Sequence, residues 1–355
     1  MEEKAPSLNT FLIASTFIGT LVGAGFASGQ EVLLFFSAYG WTGLWGVALA
    51  TFLFFFFSYS ILMLGNKLQA TSHVDIVRFT NGKLFGSVID MIITLFLFGG
   101  LAAMIAGAGA IFDEQLQLPA VWGTILMAFL TLVTVLTGTK GVVKAISYVV
   151  PFLLLSVLFI SIYSFATNPI TDEEINLAAQ LEGAAPNWGI SSINYVSYNI
   201  VIGIAVLAPM GARAVNKQQL FKGALAGGLG LGLGVLAIYF TVLTNMTYVA
   251  NTEVPMINIA ATMGPGIQIG FAVLLFGAVY TTAVGCLYGF IQRTAFIKRI
   301  PQIWVIIGSV AVTLALGQLG FSTMVKYLYP AVGYGGMLFF LGVIYVWVRK
   351  REYVR

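Results

Sequence analysis

Charged residues are scarce in this chain of 355 residues: Asp, Glu, Lys and Arg make up 8% of it, whereas hydrophobic residues make up 59%. A soluble protein of ordinary composition carries about a quarter charged residues. A soluble domain is therefore excluded. The chain also has a single cysteine, Cys286, inside an apolar stretch, which excludes a disulfide framework and a thiolate metal site.

The sequence lacks the residues that characterise several functional classes of protein. The sequence contains one histidine, His73, which we interpret as a solvated loop residue, and it has no metal-ligand cluster and no phosphate-binding loop. An intramembrane enzyme is therefore disfavoured, and no cofactor is expected. The net charge of +4 comes from basic residues scattered singly between apolar segments, so nucleic acid is not expected as a partner.

Long apolar runs fill the chain. They are continuous rather than alternating, which favours membrane-spanning helices over a β-barrel. The pattern predicts an all-α polytopic membrane protein with one transmembrane domain over residues 1–355 and no soluble domain. Ten transmembrane helices are expected at residues 8–36, 42–65, 84–112, 119–137, 142–166, 190–211, 220–246, 266–292, 302–320 and 324–348.

The basic residues predict the orientation of these spans, because cytoplasmic loops retain Lys and Arg. They recur in every second loop and in the C-terminal tail, at residues 67–83, 140–144, 213–222, 293–299 and 349–355. The intervening loops carry mainly acidic residues, with Lys326 as the exception. Both termini should therefore be cytoplasmic.

On the outer side, residues 251–263 predict a short lid-like helix, and residues 70–82 predict an interfacial helix on the inner side.

The first span contains the stretch Gly-Ala-Gly-Phe-Ala-Ser-Gly-Gln-Glu at residues 23–31. Each glycine disfavours a helix by roughly 1 kcal/mol, and a charge deep in the membrane costs several kcal/mol. An interruption of the helix is therefore expected here. Non-helical backbone at this depth survives only where protein or a water-filled cavity satisfies it, so the stretch predicts a solute pathway.

Glu31 has two interpretations, and the sequence leaves both open. Its spacing from Ser28 is that of a capping box at the start of a half-helix. An acid at this depth is also a candidate proton carrier or contact for the solute. An ionised Glu31 would offset the attraction of a half-helix N-terminus for anions, which favours a zwitterionic or cationic solute over an anionic one.

The sixth span is the place for a matching interruption if the ten helices form two inverted halves, at residues 8–166 and 190–348. It is unusually polar, and Asn199 and Gly203 lie near its middle. These features predict a second break. Interhelical hydrogen bonding with close packing is the alternative interpretation. Asp90 and Arg213 are candidates for an inner gate.

This pattern resembles the five-plus-five inverted-repeat (LeuT-like) fold of the amino acid-polyamine-organocation superfamily of transporters. The run at residues 23–31 also resembles the signature of the YkvI-like bacterial membrane proteins, a branch of that superfamily. The resemblance implies interrupted helices 1 and 6 and location in the bacterial cytoplasmic membrane.

The resemblance further implies a sodium site between the first and eighth spans. Its ligands would be main-chain carbonyls of Gly19, Val22 and Ala278 and the hydroxyls of Thr281 and Thr282. Such oxygens suit a hard monovalent cation. The alternative is that these threonines bond only their own backbone.

Together these features predict a secondary active transporter that moves a small organic solute, an amino acid or an amine, with sodium or protons. The expected partners are that solute and the lipid bilayer, without an obligate protein partner. A sensor of the same fold without transport is the alternative. The residues expected to contact the solute are Gly23, Gly25, Phe26, Ser28, Glu31, Tyr195, Tyr198, Asn199 and Gly203.

Overall fold

The computed structural model describes residues 9–137, 140–214, 216–294 and 301–350. The basic positions predicted for the cytoplasmic side at 298–299 and 351–355 lie outside these ranges. Within them the chain is helical and contains no β-strand. Its helices are α1 (Thr10–Leu21), α2 (Ala24–Ser28), α3 (Gln30–Phe35), α4 (Thr42–Leu68), α5 (His73–Leu116), α6 (Ala120–Thr137), α7 (Lys140–Thr167), α8 (Asp172–Ala178), α9 (Trp188–Ala212), α10 (Lys217–Leu243), α11 (Met246–Val249), α12 (Pro255–Thr262), α13 (Pro265–Thr294), α14 (Gln302–Gly317) and α15 (Phe321–Arg349).

Seven of these helices are long and apolar enough to cross a bilayer: α4, α5, α6, α9, α10, α13 and α15. Three shorter apolar stretches, Thr10–Leu21, Pro151–Thr167 and Gln302–Gly317, coincide with the remaining predicted spans. The chain is therefore a multi-pass membrane protein. Outside the spans, α12 coincides with the predicted lid-like helix.

The first predicted span is divided into three short helices. α1 ends at Leu21, and Val22 and Gly23 have extended backbone conformations before α2 begins at Ala24. A second change of direction occurs at Gly29, whose φ of 83° lies in the left-handed region that glycine adopts without strain. A side chain at Gly29 would also collide with Met256 of α12, so the lid-like helix packs directly on this turn.

The sixth span, by contrast, is one continuous helix, α9, and the predicted interruption there is wrong. Its polar residues form interhelical hydrogen bonds instead. Asn194 donates to the carbonyl of Pro330 at 3.0 Å, and Ser197 donates to the carbonyl of Gly333 at 2.8 Å. Close packing on α15, the alternative interpretation, explains the polarity of this helix.

The helix α5 combines the predicted interfacial helix with the third span. It starts after Ser72, whose hydroxyl and the carboxylate of Asp75 form a capping box. Gly82, with a φ of 73°, then breaks the helical geometry before the membrane-spanning part begins. Beyond this kink, α5 packs against α13 and α15.

Candidate functional site

A cavity of about 310 Å³ lies beside the break between α1 and α2. Residues from the break itself and from α3, α5, α9, α13 and α15 form its walls. The lining side chains and backbone segments are those of residues 19–25, Glu31, Phe96, Leu97, Gly100, Met104, Tyr198, Asn199, Ile202, Thr281, Thr282, Gly285, Cys286 and Tyr329. Glu31 is the only acidic residue among them, and no Lys, Arg or His is present in this set.

Glu31 is nearly inaccessible to solvent, with 6% of its surface exposed. Its Oε2 accepts a hydrogen bond of 2.5 Å from the phenolic O–H of Tyr198 on α9. The carboxylate lies against the backbone of Gly25, where a β-carbon would overlap Oε1. The carboxylate can occupy this position because residue 25 has no side chain. This steric role is separate from the effect of the glycine on helix stability.

The capping box predicted for Ser28 and Glu31 is not formed. The Ser28 hydroxyl donates to the carbonyl of Gly25 at 2.8 Å and accepts from the N–H of Gln30 at 3.2 Å, so it bridges the end of α2 and the start of α3. Glu31 is directed to Tyr198 and the cavity instead. Of the two interpretations of Glu31, the structure thus contradicts the capping role.

Three aromatic rings from three different helices meet in the cavity wall. Their centroids are 6.2 Å apart for Phe96 and Tyr198, 5.6 Å for Phe96 and Tyr329, and 5.1 Å for Tyr198 and Tyr329. All three residues are buried. Because Tyr198 is also the hydrogen-bond donor to Glu31, the rings and the carboxylate belong to the same wall.

Five of the residues expected to contact the solute line this cavity: Gly23, Gly25, Glu31, Tyr198 and Asn199. The others are placed elsewhere. Phe26 is directed towards Gly234 of α10, and Gly203 packs against Leu21. Tyr195 lies among Phe35, Phe36 and Phe54, outside the lining set. Ser28 is engaged in the backbone bonds described above.

Four of the five residues expected to bind sodium, Gly19, Val22, Thr281 and Thr282, line the cavity, whereas Ala278 is outside the lining set. The Thr281 hydroxyl donates to the carbonyl of Ala278 at 2.9 Å, which is the backbone bond of the alternative interpretation. A hydroxyl that donates its proton retains oxygen lone pairs, so this bond does not remove it as a ligand. A β-carbon on Gly23 would lie 3.9 Å from Oγ1 of Thr282, so that hydroxyl adjoins the break.

Sequence reasoning missed several cavity residues, above all Phe96 and Tyr329. Tyr329 precedes Pro330, and the tyrosine next to a proline inside an apolar span was an available signal. Which face of α15 is turned inward depends on its packing against α5 and α9, however, and periodicity does not show it. Cys286, the single cysteine, is buried and also borders the cavity.

Asp90 does not pair with Arg213 as an inner gate. Its carboxylate binds Arg293 of α13 at 2.6 Å and lies 3.1 Å from Nε2 of His73. The His73 ring also lies 2.9 Å from the Arg293 guanidinium. His73 is therefore a packed residue that fastens the start of α5 to α13, and the interpretation as a solvated loop residue is wrong.

Two proteins of Bacillus subtilis (strain 168) are similar to this chain over nearly its whole length. The uncharacterized membrane protein YkvI is 27% identical over 327 residues, covering 92% of this chain and 93% of YkvI. The uncharacterized protein YyaD is 27% identical over 316 residues, covering 89% and 90% of the two chains. No family model matches the chain. The resemblance to YkvI-like membrane proteins is confirmed.

Solved transporter structures show which fold the chain has. The inward-facing structure of Mhp1 has a TM-score of 0.71 at 14% identity and covers 99% of this chain and 82% of Mhp1. MhsT in complex with L-phenylalanine has a TM-score of 0.62 at 16% identity, with 96% and 90% covered. A Na⁺-coupled sialic acid symporter has a TM-score of 0.58 at 13% identity, with 95% and 79% covered. The chain shares the fold of these membrane transporters.

Proposed function

We propose that the protein is a secondary active transporter that moves a small organic solute across the membrane by alternating access. The observation that carries this proposal is the cavity of about 310 Å³ at the break between α1 and α2, with a buried carboxylate in its wall. Irregular backbone at membrane depth is tolerated where it lines such a cavity, and an intramembrane acid marks a solute or ion pathway.

The architecture that we propose has ten membrane helices in one domain, arranged as inverted halves at residues 8–166 and 190–348. Both termini are cytoplasmic, and the membrane is the bacterial cytoplasmic membrane. The fold shared with Mhp1 and MhsT supports this arrangement. The continuous helix α9 makes the two halves unequal, because the break that lines the cavity lies in the first span and the corresponding sixth span is unbroken.

The solute that we propose is an amino acid or an amine, and the coupling ion is sodium or a proton. Sodium is held by the carbonyls of Gly19, Val22 and Ala278 and the hydroxyls of Thr281 and Thr282. A proton is carried by Glu31. The nearness of the Thr282 hydroxyl to the break supports the sodium site, and the burial of Glu31 supports the proton site. The sialic acid symporter of the same fold is Na⁺-coupled.

Uptake of labelled phenethylamine and L-phenylalanine into proteoliposomes tests this function. Imposed sodium and pH gradients should drive accumulation of at least one of them. Binding without accumulation under either gradient would contradict transport and favour a sensor.

The double substitution of Thr281 and Thr282 by alanine tests the sodium site in the same assay. We expect it to abolish any sodium dependence, because both hydroxyl ligands are removed. Thr294→Ala is the matched control, since Thr294 lies on the same helix and also bonds its own backbone. An unchanged sodium response in the double variant would exclude this site.

A further inference from the structure

We propose that the ligand of the central cavity is a small organic monoammonium ion without a carboxylate group, and that Glu31 is its counter-ion. This inference builds on the proposed transport function by choosing between its two solute classes. It rests on the charge, the hydrogen bonding and the aromatic composition of the cavity wall.

The described wall can carry a negative charge but no positive charge. Glu31 is the only acidic residue among the lining residues, and they include no Lys, Arg or His. A buried charge requires a partner of opposite sign, because its desolvation otherwise costs several kcal/mol. An ammonium group finds that partner in Glu31. The carboxylate of an amino acid would find no cationic side chain and would be repelled by Glu31.

The position of Glu31 strengthens this argument. Its carboxylate lies over Gly25 in the first turn of α2, so the protein's own acid occupies the cavity side of the helix break. Oε2 is bonded to Tyr198, whereas Oε1 accepts no hydrogen bond from the described part of the chain. One oxygen of a buried carboxylate is thus available for an N–H donor from a ligand.

The aromatic wall suits the same ligand. Phe96, Tyr198 and Tyr329 border the cavity with neighbouring centroids 5.1–6.2 Å apart. Ring faces attract cations, by about 2 kcal/mol or more where water is excluded. A carboxylate would lose solvation against these rings without a compensating attraction. The wall therefore discriminates between the two ends of an amino acid.

The single carboxylate of the wall limits the charge of the ligand, and the volume of the cavity limits its size. One carboxylate neutralises one ammonium group, so a polyamine would leave its other charges unpaired in the described wall. A volume of about 310 Å³ is at the lower end of small-molecule sites, which measure roughly 300–1,000 Å³. A compact primary amine with one apolar group fits both limits.

Matched ligands that differ only in charge test the proposal on the full-length protein in detergent. The probes are phenethylamine, L-phenylalanine, 3-phenylpropionate and 2-phenylethanol, with isoamylamine and L-leucine as an aliphatic pair. Affinity is measured by calorimetry and thermal stabilisation. We expect phenethylamine to bind at least tenfold more tightly than L-phenylalanine, 3-phenylpropionate and 2-phenylethanol, and isoamylamine to bind at least tenfold more tightly than L-leucine. Equal or tighter binding of the amino acids, or no binding of either amine, would overturn the proposal.

Glu31→Gln tests the counter-ion. Glutamine preserves the size of the side chain and an acceptor for Tyr198, so we expect amine binding to fall at least tenfold while binding of 2-phenylethanol is unchanged. Glu182→Gln is the control, because that carboxylate is exposed on the surface. Unchanged amine binding in Glu31→Gln would exclude the counter-ion role.

Phe96→Leu provides a second variant in case Glu31→Gln does not fold. It replaces an aromatic wall with an aliphatic one, so the preference for phenethylamine over 2-phenylethanol should shrink several-fold. An unchanged preference would contradict the aromatic contribution.

Failure of this proposal and failure of transport give different results. Amine binding without flux removes the transport function alone, and amino acid flux without amine binding removes the ligand class alone.

Discussion

Gly25 is the residue at which the backbone of the first span and the buried acid meet. Its lack of a side chain leaves the space that the Glu31 carboxylate occupies, and Glu31 in turn accepts a hydrogen bond from the phenolic O–H of Tyr198. The absence of a side chain at Gly25 on α2 thus permits the hydrogen bond between Glu31 on α3 and Tyr198 on α9. Its role is steric, since its own conformation is helical.

Gly25→Ala should therefore displace Glu31 from Tyr198. We expect it to weaken phenethylamine binding at least tenfold and to lower the free energy of unfolding by about 1–3 kcal/mol, the usual cost of overpacking a buried site. Titration calorimetry and thermal unfolding measure the two effects. Gly308→Ala is the control, because a β-carbon there meets no atom within 4 Å. Wild-type affinity in Gly25→Ala would contradict the steric role.

At the scale of elements, two carboxylates fix the position of the helix α12. Glu114 at the end of α5 accepts from the N–H groups of Glu253 and Val254 and from the side chain of Asn258. Glu253 in turn accepts from the N–H of Phe321 at 2.9 Å, the first residue of α15. These bonds join α12 to α5 and α15, and through Gly29 the lid-like helix also contacts the first span.

The junction at Glu253 predicts a pH dependence. Burial raises the pKa of the Glu253 carboxyl above its ordinary value of 4.5, and the nearby Asp113 adds to the increase. A carboxyl with a raised pKa in the folded state contributes stability that is complete below its unfolded pKa and is lost as the pH rises through the folded pKa. As the pH rises through the folded pKa, the free energy of unfolding of the wild type should therefore decline relative to that of a variant without an ionisable group at position 253.

Glu253→Gln should thus become more stable relative to wild type as the pH rises from 4.5 to 8, since glutamine keeps an acceptor for the Phe321 N–H. Thermal unfolding across this pH range measures the difference. Glu173→Gln, at an exposed position of α8, should follow the wild-type curve. A relative loss of stability in Glu253→Gln with rising pH would show that the sign is wrong.

At the scale of the whole molecule, the alternation of basic and acidic loops predicts which end of each membrane helix is cytoplasmic. Lys83, beside the kink at Gly82, lies in a basic segment between two predicted spans, whereas Glu173 lies in an acidic one. Both residues are exposed. The proposed orientation therefore places them on opposite faces of the membrane.

Single cysteine substitutions test this orientation in intact bacterial cells. A membrane-impermeant maleimide should label Glu173→Cys and should label Lys83→Cys only after the membrane is permeabilised. The native Cys286 is buried, so it contributes little background. Labelling of Lys83→Cys alone in intact cells would reverse the topology and place both termini outside.

The predicted positions of the spans and the helices agree closely because hydrophobic length is a local property. α4, α6 and α13 begin and end within a few residues of the predicted bounds, and α1 ends at Leu21, just before the glycine stretch that predicted an interruption. Gly29 likewise has the left-handed backbone for which glycine is suited. Each of these features depends on a residue and its immediate neighbours along the chain.

The errors concern side chains whose partners are distant in the sequence. The polarity of the sixth span predicts a broken helix, but its Asn194 and Ser197 donate to the carbonyls of Pro330 and Gly333 on α15. Asp90 has Arg293 as its partner rather than Arg213. A polar residue in an apolar helix indicates that a partner is needed, and only the packing of helices decides which partner it finds.

The sequence by itself determined that the chain is a multi-pass helical membrane protein and that its first span contains both a weak helix and a buried acid. Only the tertiary structure decided where the carboxylate of that acid lies, because the capping box and the cavity place Glu31 in different directions. It also joined Phe96 of α5, Tyr198 of α9 and Tyr329 of α15 around the carboxylate. Periodicity determines which residues share a face of one helix, whereas the composition of a cavity depends on which faces of several helices meet.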